Sequence, residues 1–559
     1  MEYESIVQPF YARAEKNPDD LVVVLISEDE ADKHITCAEL MAGAQRAAKH
    51  LQNSGITDQD VVILVLPCSV TLLEAIWGPL LLGAIPSVLT YVHPVLDKKT
   101  YLKQLRSTLQ SSKVQAIVTI PEMKSGLEEL ATDLDCAVIT GIDKDIKSGG
   151  EILLPNKSEL SSEKIAVLQF SSGSTGKRKG VMLSHRAIFS YNRGLEGVIN
   201  HYSEYVHVSW LPLYHDLGLI YGFLLPIIGG HSSVLMSPMH WIYRPEILFK
   251  AISKYRGSIT WMPNFAFKHS LRIAEEDLDG VDLSSWRTVG NGAEPVEADS
   301  LELFYEKFSP YGLKKTALAA GYGLAEQVAG VARTSVIGPP NVDWVDRIKL
   351  QEEGLAAPLP KESTNGKVFE SCGAPFKGVE IQIVNDHAAV LPERHVGEIV
   401  IRGDQMFSGY YQQPELTAQV VRDGWFYTGD LGYLFKGEIY ICGRKKDLII
   451  IGGDNIYPQD IEAVVAEFSI VRPGSPVAFG IDDKALGTER VVVAAELKQS
   501  LDNHEKAKIT TEIRQRVFNE LNIRVAKVYL MEEKGWVVKT SSGKLARSAN
   551  KAKYIEAIE

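Results

Sequence analysis

Residues 168–185, LQFSSGSTGKRKGVMLSH, constrain the fold of this chain more than any other segment. An apolar, strand-like run passes directly into a loop of small and hydroxyl residues, which the cations Lys177, Arg178 and Lys179 follow. Glycines in such a loop let the backbone curl, so that N–H groups and hydroxyls converge on an anion. The segment predicts a polyphosphate loop at the end of a buried strand; a Ser/Gly linker is the alternative. The loop residues are Ser171, Ser172, Gly173, Ser174, Thr175 and Gly176.

This loop is not the common P-loop. The pattern GxxxxGK[ST] needs a glycine where Arg178 stands. The surrounding chain alternates strand-like runs with helical patterns, which predicts crossover units and a mostly parallel sheet. The predicted strands include 21–26, 61–67, 84–89, 114–120, 136–141, 232–237, 258–263 and 287–292, and the first predicted helices are 37–51 and 69–83.

The second half of the chain has a different pattern of predicted strands and helices. From about residue 379 short strands alternate with turns, which predicts a mostly antiparallel β-subdomain. Residues 444–559 carry their own strands and helices, and a charged GRKKD segment precedes them. A chain of 559 residues is too long for one core. We therefore predict a large domain over 1–443 and a separate α+β domain over 444–559. Residues 343–371 are interpreted as an exposed loop or insertion.

Charge and cysteine usage exclude several classes of protein. The chain has 59 basic and 71 acidic residues, a net charge of −12, which argues against a nucleic-acid partner. Its five cysteines are scattered without a CxxC pair, so neither a disulfide framework nor a zinc site is predicted. The N-terminal sequence lacks the pattern of a secretory signal, and the apolar stretches are too short or too broken for a membrane span. We expect a cytoplasmic protein.

Four further segments follow the loop in a fixed order: GYGLAEQ at 321–327, YTGDLG at 427–432, GRKKD at 443–447 and TSSGKLAR at 540–547. Together with SSGSTGKRKG they resemble the ordered motifs of the adenylate-forming superfamily, which includes acyl-CoA synthetases, peptide-synthetase adenylation domains and luciferases. Arg178 replaces the usual proline of the loop, and Ala325 stands where threonine is common. The resemblance covers nearly the whole chain. It implies an α/β adenylate-forming fold, in which a large N-terminal domain of α/β subdomains and a β-subdomain precedes a small mobile α+β C-terminal domain.

The resemblance also implies a role for each motif residue. Lys544 would lie between the acyl carboxylate and the α-phosphate of ATP, where a positive charge serves both anions. Glu326 would hold Mg²⁺, with Thr175 as a second metal contact. Asp430 would accept hydrogen bonds from the ribose hydroxyls, and Arg444 would add a cation near them. Without the motifs, these residues would be taken for a tail lysine, a helix-start glutamate and a turn aspartate.

Further nucleotide contacts follow from the same resemblance. Tyr322 and the run Gly292, Ala293 and Glu294 would flank the adenine ring, although GAEP could equally be a turn. Gly321 belongs to the same motif as Tyr322, and Lys179 would contact phosphate. His185, which follows a serine, is interpreted as structural.

The segment WLPLYHDLGLI at 210–220 narrows the substrate. A core His–Asp pair below a helix start is one interpretation of His215 and Asp216. The string is also similar to the PLYHDMGLIGG segment of fatty acyl-AMP ligases, in which the histidine borders the acyl site. YPQDIE at 457–462, NGAEPV at 291–296 and a group-specific insertion at about 342–373 agree with that group.

This narrower resemblance implies a two-step reaction. A fatty acid and Mg·ATP would give acyl-adenylate and pyrophosphate, and the acyl group would then pass to the phosphopantetheine thiol of an acyl carrier protein. The C-terminal domain would swing about Lys445 and Asp447 between the steps. A long-chain acyl-CoA synthetase is the nearest alternative. An amino-acid-activating domain is disfavoured because WMPNFAF at 261–267 has no acidic residue, and a catalytically silent relative is disfavoured by the joint presence of Lys544, Glu326 and Asp430.

Overall fold

The computed structural model describes residues 3–28, 30–91, 98–110, 112–142, 160–171, 179–198, 205–334, 338–361, 363, 365–483, 488–540 and 543–558. Within these residues the fold is α/β, as predicted, and the predicted strands and helices named above are present to within a few residues. Every helix in the described part of the chain is too short or too polar to pass through a lipid bilayer.

A nine-stranded sheet forms the centre of the large domain. Its six central strands are parallel, and its edge pairs are antiparallel. The strands in spatial order are Ala374–Pro375, Ala332–Arg333, Leu318–Tyr322, Thr288–Asn291, Ile259–Met262, Val206–Ser209, Ser232–Leu235, Leu21–Leu25 and Lys33–Thr36.

A second, four-stranded sheet is entirely parallel, in the order Ile85–Val88, Val61–Val65, Ala116–Thr119 and Ala137–Ile139. Every residue of Val61–Val65 is buried, because helices cover both faces of such a sheet. A separate hairpin, Ile165–Ser171 with Lys179–Ser184, flanks the predicted phosphate loop.

Helices follow these strands at the positions that the apolar periodicity predicts. Cys37–Asn53 begins with a capping box in which Thr36 and Glu39 each bond the backbone amide of the other. The remaining α-helices of the large domain are Val7–Lys16, Val70–Leu81, Lys98–Gln110, Pro121–Ala131, His185–Glu196, Leu225–Gly229, Pro238–Tyr243, Glu246–Tyr255, Asn264–Ser270, Ala298–Phe308, Arg347–Glu352 and Pro414–Val420, and Leu217–Leu224 is a π-helix.

The predicted β-subdomain is a five-stranded antiparallel sheet of Val379–Val384, Gly397–Gly403, Val421–Arg422, Trp425–Phe435 and Glu438–Arg444. Beyond it lie the hairpin Ile449–Ile451 with Asp454–Ile456, the sheet of Val477–Asp483, Thr488–Glu496 and Val525–Met531, and the helices Pro458–Ala466, Asn503–Leu521 and Arg547–Ile558. The division of the chain at residues 443 and 444 stays a prediction.

The prediction of an exposed loop over 343–371 is wrong for much of that segment. Val342–Asp346 and Gly366–Glu370 form an antiparallel pair, and Arg347–Glu352 is a short helix. Val345 and Phe369 pack into a cluster with Tyr433 of the β-subdomain and Tyr457 of the C-terminal segment. The charged residues and prolines of the segment are typical of a loop. The few apolar residues between them nevertheless pack against the aromatic side chains of this cluster.

Candidate active site

The predicted phosphate loop joins the two strands of the 165–184 hairpin. The backbones of Ser171 and Lys179 pair, so the loop leaves and re-enters the fold at adjacent points. The side chain of Ser171 and residues 172–178 lie outside the described structure. The contacts predicted for Ser171, Ser172, Gly173, Ser174, Thr175 and Gly176 therefore stay predictions.

Asp430 and Arg444 face each other on neighbouring strands of the β-subdomain. The Arg444 Nε lies 2.9 Å from Asp430 Oδ1, and the Tyr322 hydroxyl donates to Asp430 Oδ2 at 2.7 Å. The Asp430 carboxylate raises the pKa of Arg444, and burial raises the pKa of Tyr322 well above its usual value. Among the described residues each carboxylate oxygen of Asp430 has one partner, so each keeps a lone pair that could accept from one of two adjacent hydroxyls.

Lys544 enters the same region from the far end of the chain. Its backbone is fixed by a short turn, since the Thr540 amide donates to the Lys544 carbonyl at 2.8 Å. Desolvation lowers the pKa of Lys544, and Asp216 is the strongest influence in the opposite direction, with Glu294 and Asp430 adding to it. The fold thus gathers a lysine and three carboxylates from four separate motifs.

The His–Asp pair begins the π-helix Leu217–Leu224. The His215 Nδ1 lies 2.6 Å from Asp216 Oδ1, and the Leu217 amide donates to the same oxygen at 2.6 Å. Burial opposes ionisation of Asp216, but His215, the Leu217 amide and Lys544 outweigh it and lower the pKa of Asp216. The low pKa keeps Asp216 ionised beside His215 and within electrostatic reach of Lys544.

Glu326 lies in the 3₁₀ turn Ala325–Gln327 and is held by a residue that the motifs do not contain. The Tyr410 hydroxyl donates to Glu326 Oε1 at 2.7 Å, and Lys179 Nζ lies 4.9 Å from the Tyr410 ring centroid. Burial raises the pKa of Glu326, while Tyr410 and Lys179 oppose that rise. This desolvated carboxylate fits a hard cation, which would supply the positive charge that the protein only partly provides.

The run after Thr288–Asn291 forms a tight turn. The Gly292 amide donates to the Met262 carbonyl at 3.1 Å, and Ala293 has a φ of 66°. The Phe265 amide donates to Glu294 Oε2 at 3.1 Å, and burial raises the pKa of Glu294. The backbone of Gly321 lies beside this turn, its carbonyl oxygen 3.2 Å from the position a Gly292 Cβ would take. Contact with adenine stays a prediction.

His185 is buried and bonded to the backbone, which agrees with a structural role. Its Nδ1 accepts the Ile6 amide at 3.2 Å, and burial lowers its pKa to about 4.

Among the described residues, sequence reasoning missed Tyr410 as the partner of Glu326. The dipeptide at 410 and 411 gives no signal for it, because only the tertiary fold distinguishes the two tyrosines.

Known proteins resemble this chain in sequence and in structure. The sequence pattern of the AMP-binding enzyme family matches residues 10–411. The chain is 33% identical to the medium-chain-fatty-acid–[acyl-carrier-protein] ligase JamA of Moorena producens, over 93% of this chain and 89% of that protein. It is also 33% identical to the 4-hydroxyphenylalkanoate adenylyltransferase of Mycobacterium tuberculosis, over 89% and 82% of the two chains. A solved structure from a study of fatty acyl-adenylate ligases of E. coli and L. pneumophila superimposes with a TM-score of 0.88 at 28% identity, over 100% of this chain and 99% of that one.

Proposed function

This chain belongs to the family of AMP-binding enzymes and is an AMP-forming ligase, and we propose that it activates a fatty acid with Mg·ATP and transfers the acyl group to an acyl carrier protein. The convergence of Lys544 with Asp216, Glu294 and Asp430 carries the proposal. The similar relatives act on a medium-chain fatty acid and on a 4-hydroxyphenylalkanoate, which supports a carboxylic acid with an extended apolar part.

In the first step a carboxylate oxygen of the acid attacks the α-phosphorus of ATP in line. The bond from that phosphorus to the bridging oxygen of pyrophosphate breaks, and pyrophosphate leaves. Two anions must meet, so the step needs positive charge and alignment. Lys544 would bridge the carboxylate and the α-phosphate. Asp430, held by Tyr322 and Arg444, would fix the ribose, and His215 would border the acyl chain.

Glu326 is the candidate ligand for Mg²⁺, with Thr175 as a further contact. The described part of the chain holds no group of three or more His, Cys, Asp or Glu side chains that could form a dedicated metal cage. A single carboxylate together with substrate phosphates is a common setting for Mg²⁺. When bound, the ion would neutralise phosphate charge.

The pH dependence of adenylation tests the role of Glu326. Burial raises the pKa of Glu326, and a protonated carboxyl group cannot bind the cation, so activity should rise as the pH passes upward through this pKa. Tyr410→Phe removes a hydrogen bond that favours the carboxylate. The acidic limb of the kcat/KM profile should then shift to higher pH by about one unit.

The matched control for this shift is Tyr411→Phe. The Tyr411 hydroxyl donates to the Lys113 carbonyl at 3.0 Å, away from Glu326, so its removal should leave the pyrophosphate-release profile unchanged. Identical profiles for the wild type and Tyr410→Phe would contradict the assignment of Glu326.

In the second step a thiolate attacks the acyl carbonyl carbon and AMP leaves. We propose that the C-terminal domain, residues 444–559, turns about Lys445 and Asp447 so that Lys544 withdraws and the thiol enters. Contacts between the segment at 342–373 and the C-terminal residues support a restriction on this domain rotation. Lys367 Nζ lies 2.7 Å from Asp460 Oδ2 and 4.2 Å from the Tyr457 ring centroid, and the Lys367 and Asp460 side chains are only 10% and 14% exposed.

The choice of acceptor separates this proposal from an acyl-CoA synthetase. With fatty acid, Mg·ATP and a phosphopantetheinylated carrier protein, we expect acyl-carrier formation by mass spectrometry. With CoA in place of the carrier, we expect acyl-adenylate to persist. Apo carrier protein, which lacks the thiol, is the control. Rapid acyl-CoA formation would overturn the carrier assignment and leave the adenylation step intact.

The cytoplasmic location also stays part of this proposal. It rests on the scattered cysteines, and immunodetection in fractionated cells would test it.

A further inference from the structure

Arg333 is a buried arginine that the proposed mechanism does not use. It lies on the short strand Ala332–Arg333, and its side chain is on the same face of the sheet as the position opposite, Gly321. The residue is 2% exposed. Its Nε donates to the Thr334 carbonyl at 3.3 Å, but Nη1 and Nη2 have no hydrogen-bond partner among the residues that the structure describes.

A buried guanidinium with two nitrogens that lack a hydrogen-bond partner requires an explanation. Burial of a charge without a counter-ion costs several kcal/mol, so buried arginines are normally paired with carboxylates or with other oxygens. Asp216, a nearby acid, is already held by His215 and by the Leu217 amide. The two free nitrogens of Arg333 present the donor fork that matches a carboxylate.

Arg333 packs against an aromatic cluster that contains one more unused donor. The Arg333 Cζ lies 5.6 Å from the Trp261 ring, which Tyr221 meets edge-on at 6.1 Å. The Tyr221 hydroxyl is buried, and its polar neighbour is the Trp261 indole N–H, which can only donate, so the hydroxyl proton has no acceptor among the described residues. Burial raises the pKa of Tyr221 well above its usual value, so this hydroxyl keeps its proton and can donate it to an oxygen.

This group lies beside the reaction centre. Trp261 stands near the carboxyl end of the parallel strand Ile259–Met262, the edge at which ligands bind in open α/β sheets. Its ring covers Gly290 and Gly321, where a Cβ on Gly321 would lie 2.7 Å from the ring. Tyr191 lies within electrostatic range of both Arg333 and Asp216, and Asp216 is in range of Lys544.

We propose that Arg333 and Tyr221 form an anchor in the acyl pocket for an oxygen carried on the chain of the substrate acid, with a second carboxylate as the group that balances the charge of Arg333. The inference rests on the proposed adenylation of a fatty acid and narrows its substrate to an oxygenated acid. The carboxylate at one end reacts at Lys544, and the oxygen farther along the chain binds Arg333.

A panel of matched acids tests the anchor in the full-length enzyme. Pyrophosphate release is measured for methyl-terminated fatty acids and for dicarboxylic acids of the same carbon number, over graded lengths. At the lengths that reach Arg333 we expect the wild type to prefer the dicarboxylic acid by about tenfold or more. ω-Hydroxy acids form a third arm, because a hydroxyl accepts hydrogen bonds without balancing the charge.

Arg333→Met should lower the ratio of kcat/KM for the dicarboxylic acid to that for the methyl-terminated acid by about 100-fold. Arg333→Lys, which keeps the charge but loses the fork, should give an intermediate ratio. Arg287→Met is the matched control. Arg287 is exposed and precedes the amino end of Thr288–Asn291, whereas Trp261 lies near the carboxyl end of the strand paired with it, so the ratio should not change.

Several results would overturn the anchor. One is a wild-type preference for methyl-terminated acids at every length, and another is an equal loss with both acids in Arg333→Met. A gain for ω-hydroxy acids without a gain for dicarboxylic acids would refute the carboxylate. If Arg333→Met does not fold in a thermal-shift assay, the wild-type panel and Arg333→Lys decide. Pyrophosphate release with methyl-terminated acids alone would leave the proposed function standing, whereas no release with any acid would overturn both.

Discussion

Lys544→Ala should lower the rate of pyrophosphate release by about 100- to 1,000-fold, because it removes the charge that we propose lies where the acid and the α-phosphate meet. Asp216 and Glu294 act on the pKa of this lysine, so it lies among acidic groups from the large domain rather than in solvent. A substrate carboxylate and a triphosphate would add further negative charge at this point.

Measuring the two half-reactions separately distinguishes the loss of this role from a general loss of activity. Transfer from preformed acyl-adenylate to the carrier protein should persist in Lys544→Ala, since Lys544 is proposed to withdraw before that step. Lys534→Ala, a change of an exposed lysine that precedes the TSSGKLAR segment, should release pyrophosphate at the wild-type rate. If Lys544→Ala retains wild-type release, the role assigned to Lys544 is wrong.

Arg547→Met should destabilise the chain by about 3–5 kcal/mol, because it strands two largely buried carboxylates. Arg547 donates to Asp447 Oδ2 at 2.9 Å and to Glu462 at 2.8 and 2.6 Å. All three side chains are less than a fifth exposed, at 19%, 11% and 10%. Burial opposes the charge of Arg547, but Glu462 and Asp447 outweigh it and raise its pKa.

The same substitution should lower adenylation. Arg547 ties the segment that carries Lys544 to Asp447, which belongs to the proposed hinge. Loss of this tie leaves Lys544 less firmly placed, and misplacement by about 1 Å can cost about 100-fold in rate. Denaturant unfolding and pyrophosphate release, measured on one preparation, give the two effects separately.

Two comparisons make this prediction specific. Arg516→Met removes exposed ion pairs with Glu467 and Glu520, which solvent screens, so it should lower the free energy of unfolding far less than Arg547→Met does. In Arg547→Met the stranded carboxylates bind protons more readily in the folded state than in the unfolded chain. The destabilisation should therefore be largest at neutral pH and should shrink as the pH falls. A loss no larger than that of Arg516→Met would show that the three-residue cluster contributes little.

Much of the site could be predicted because its residues stand in short, ordered motifs. Asp430 and Arg444 illustrate this: each belongs to a separate signature, and the strand register then sets them side by side. Tyr410 could not be predicted as the partner of Glu326, because the two residues are 84 positions apart in the sequence and a local pattern contains only one of them. Arg333 left a weak signal, a charge within the run GVARTS, which sequence reasoning passed over.

The segment at 343–371 shows why such predictions fail. Its prolines and charges satisfy the local rules for a loop, yet Asp343 receives bonds from Arg394 at 3.1 Å and from the Tyr433 hydroxyl at 2.7 Å. Those partners lie 51 and 90 residues away along the chain. A local window contains none of them, so the order of the segment depends on contacts that only the folded β-subdomain supplies.

The sequence by itself determined the family of this protein and the strand and helix pattern, because periodicity, caps and phosphate-binding loops act over a few neighbouring residues. Only the tertiary structure decided which charges meet. It brought Lys544 to Asp216, tied Arg547 to the hinge and left Nη1 and Nη2 of Arg333 without a hydrogen-bond partner among the described residues. The physical reason is that charge interactions depend on distance and burial, and both are set by packing between elements far apart in the chain.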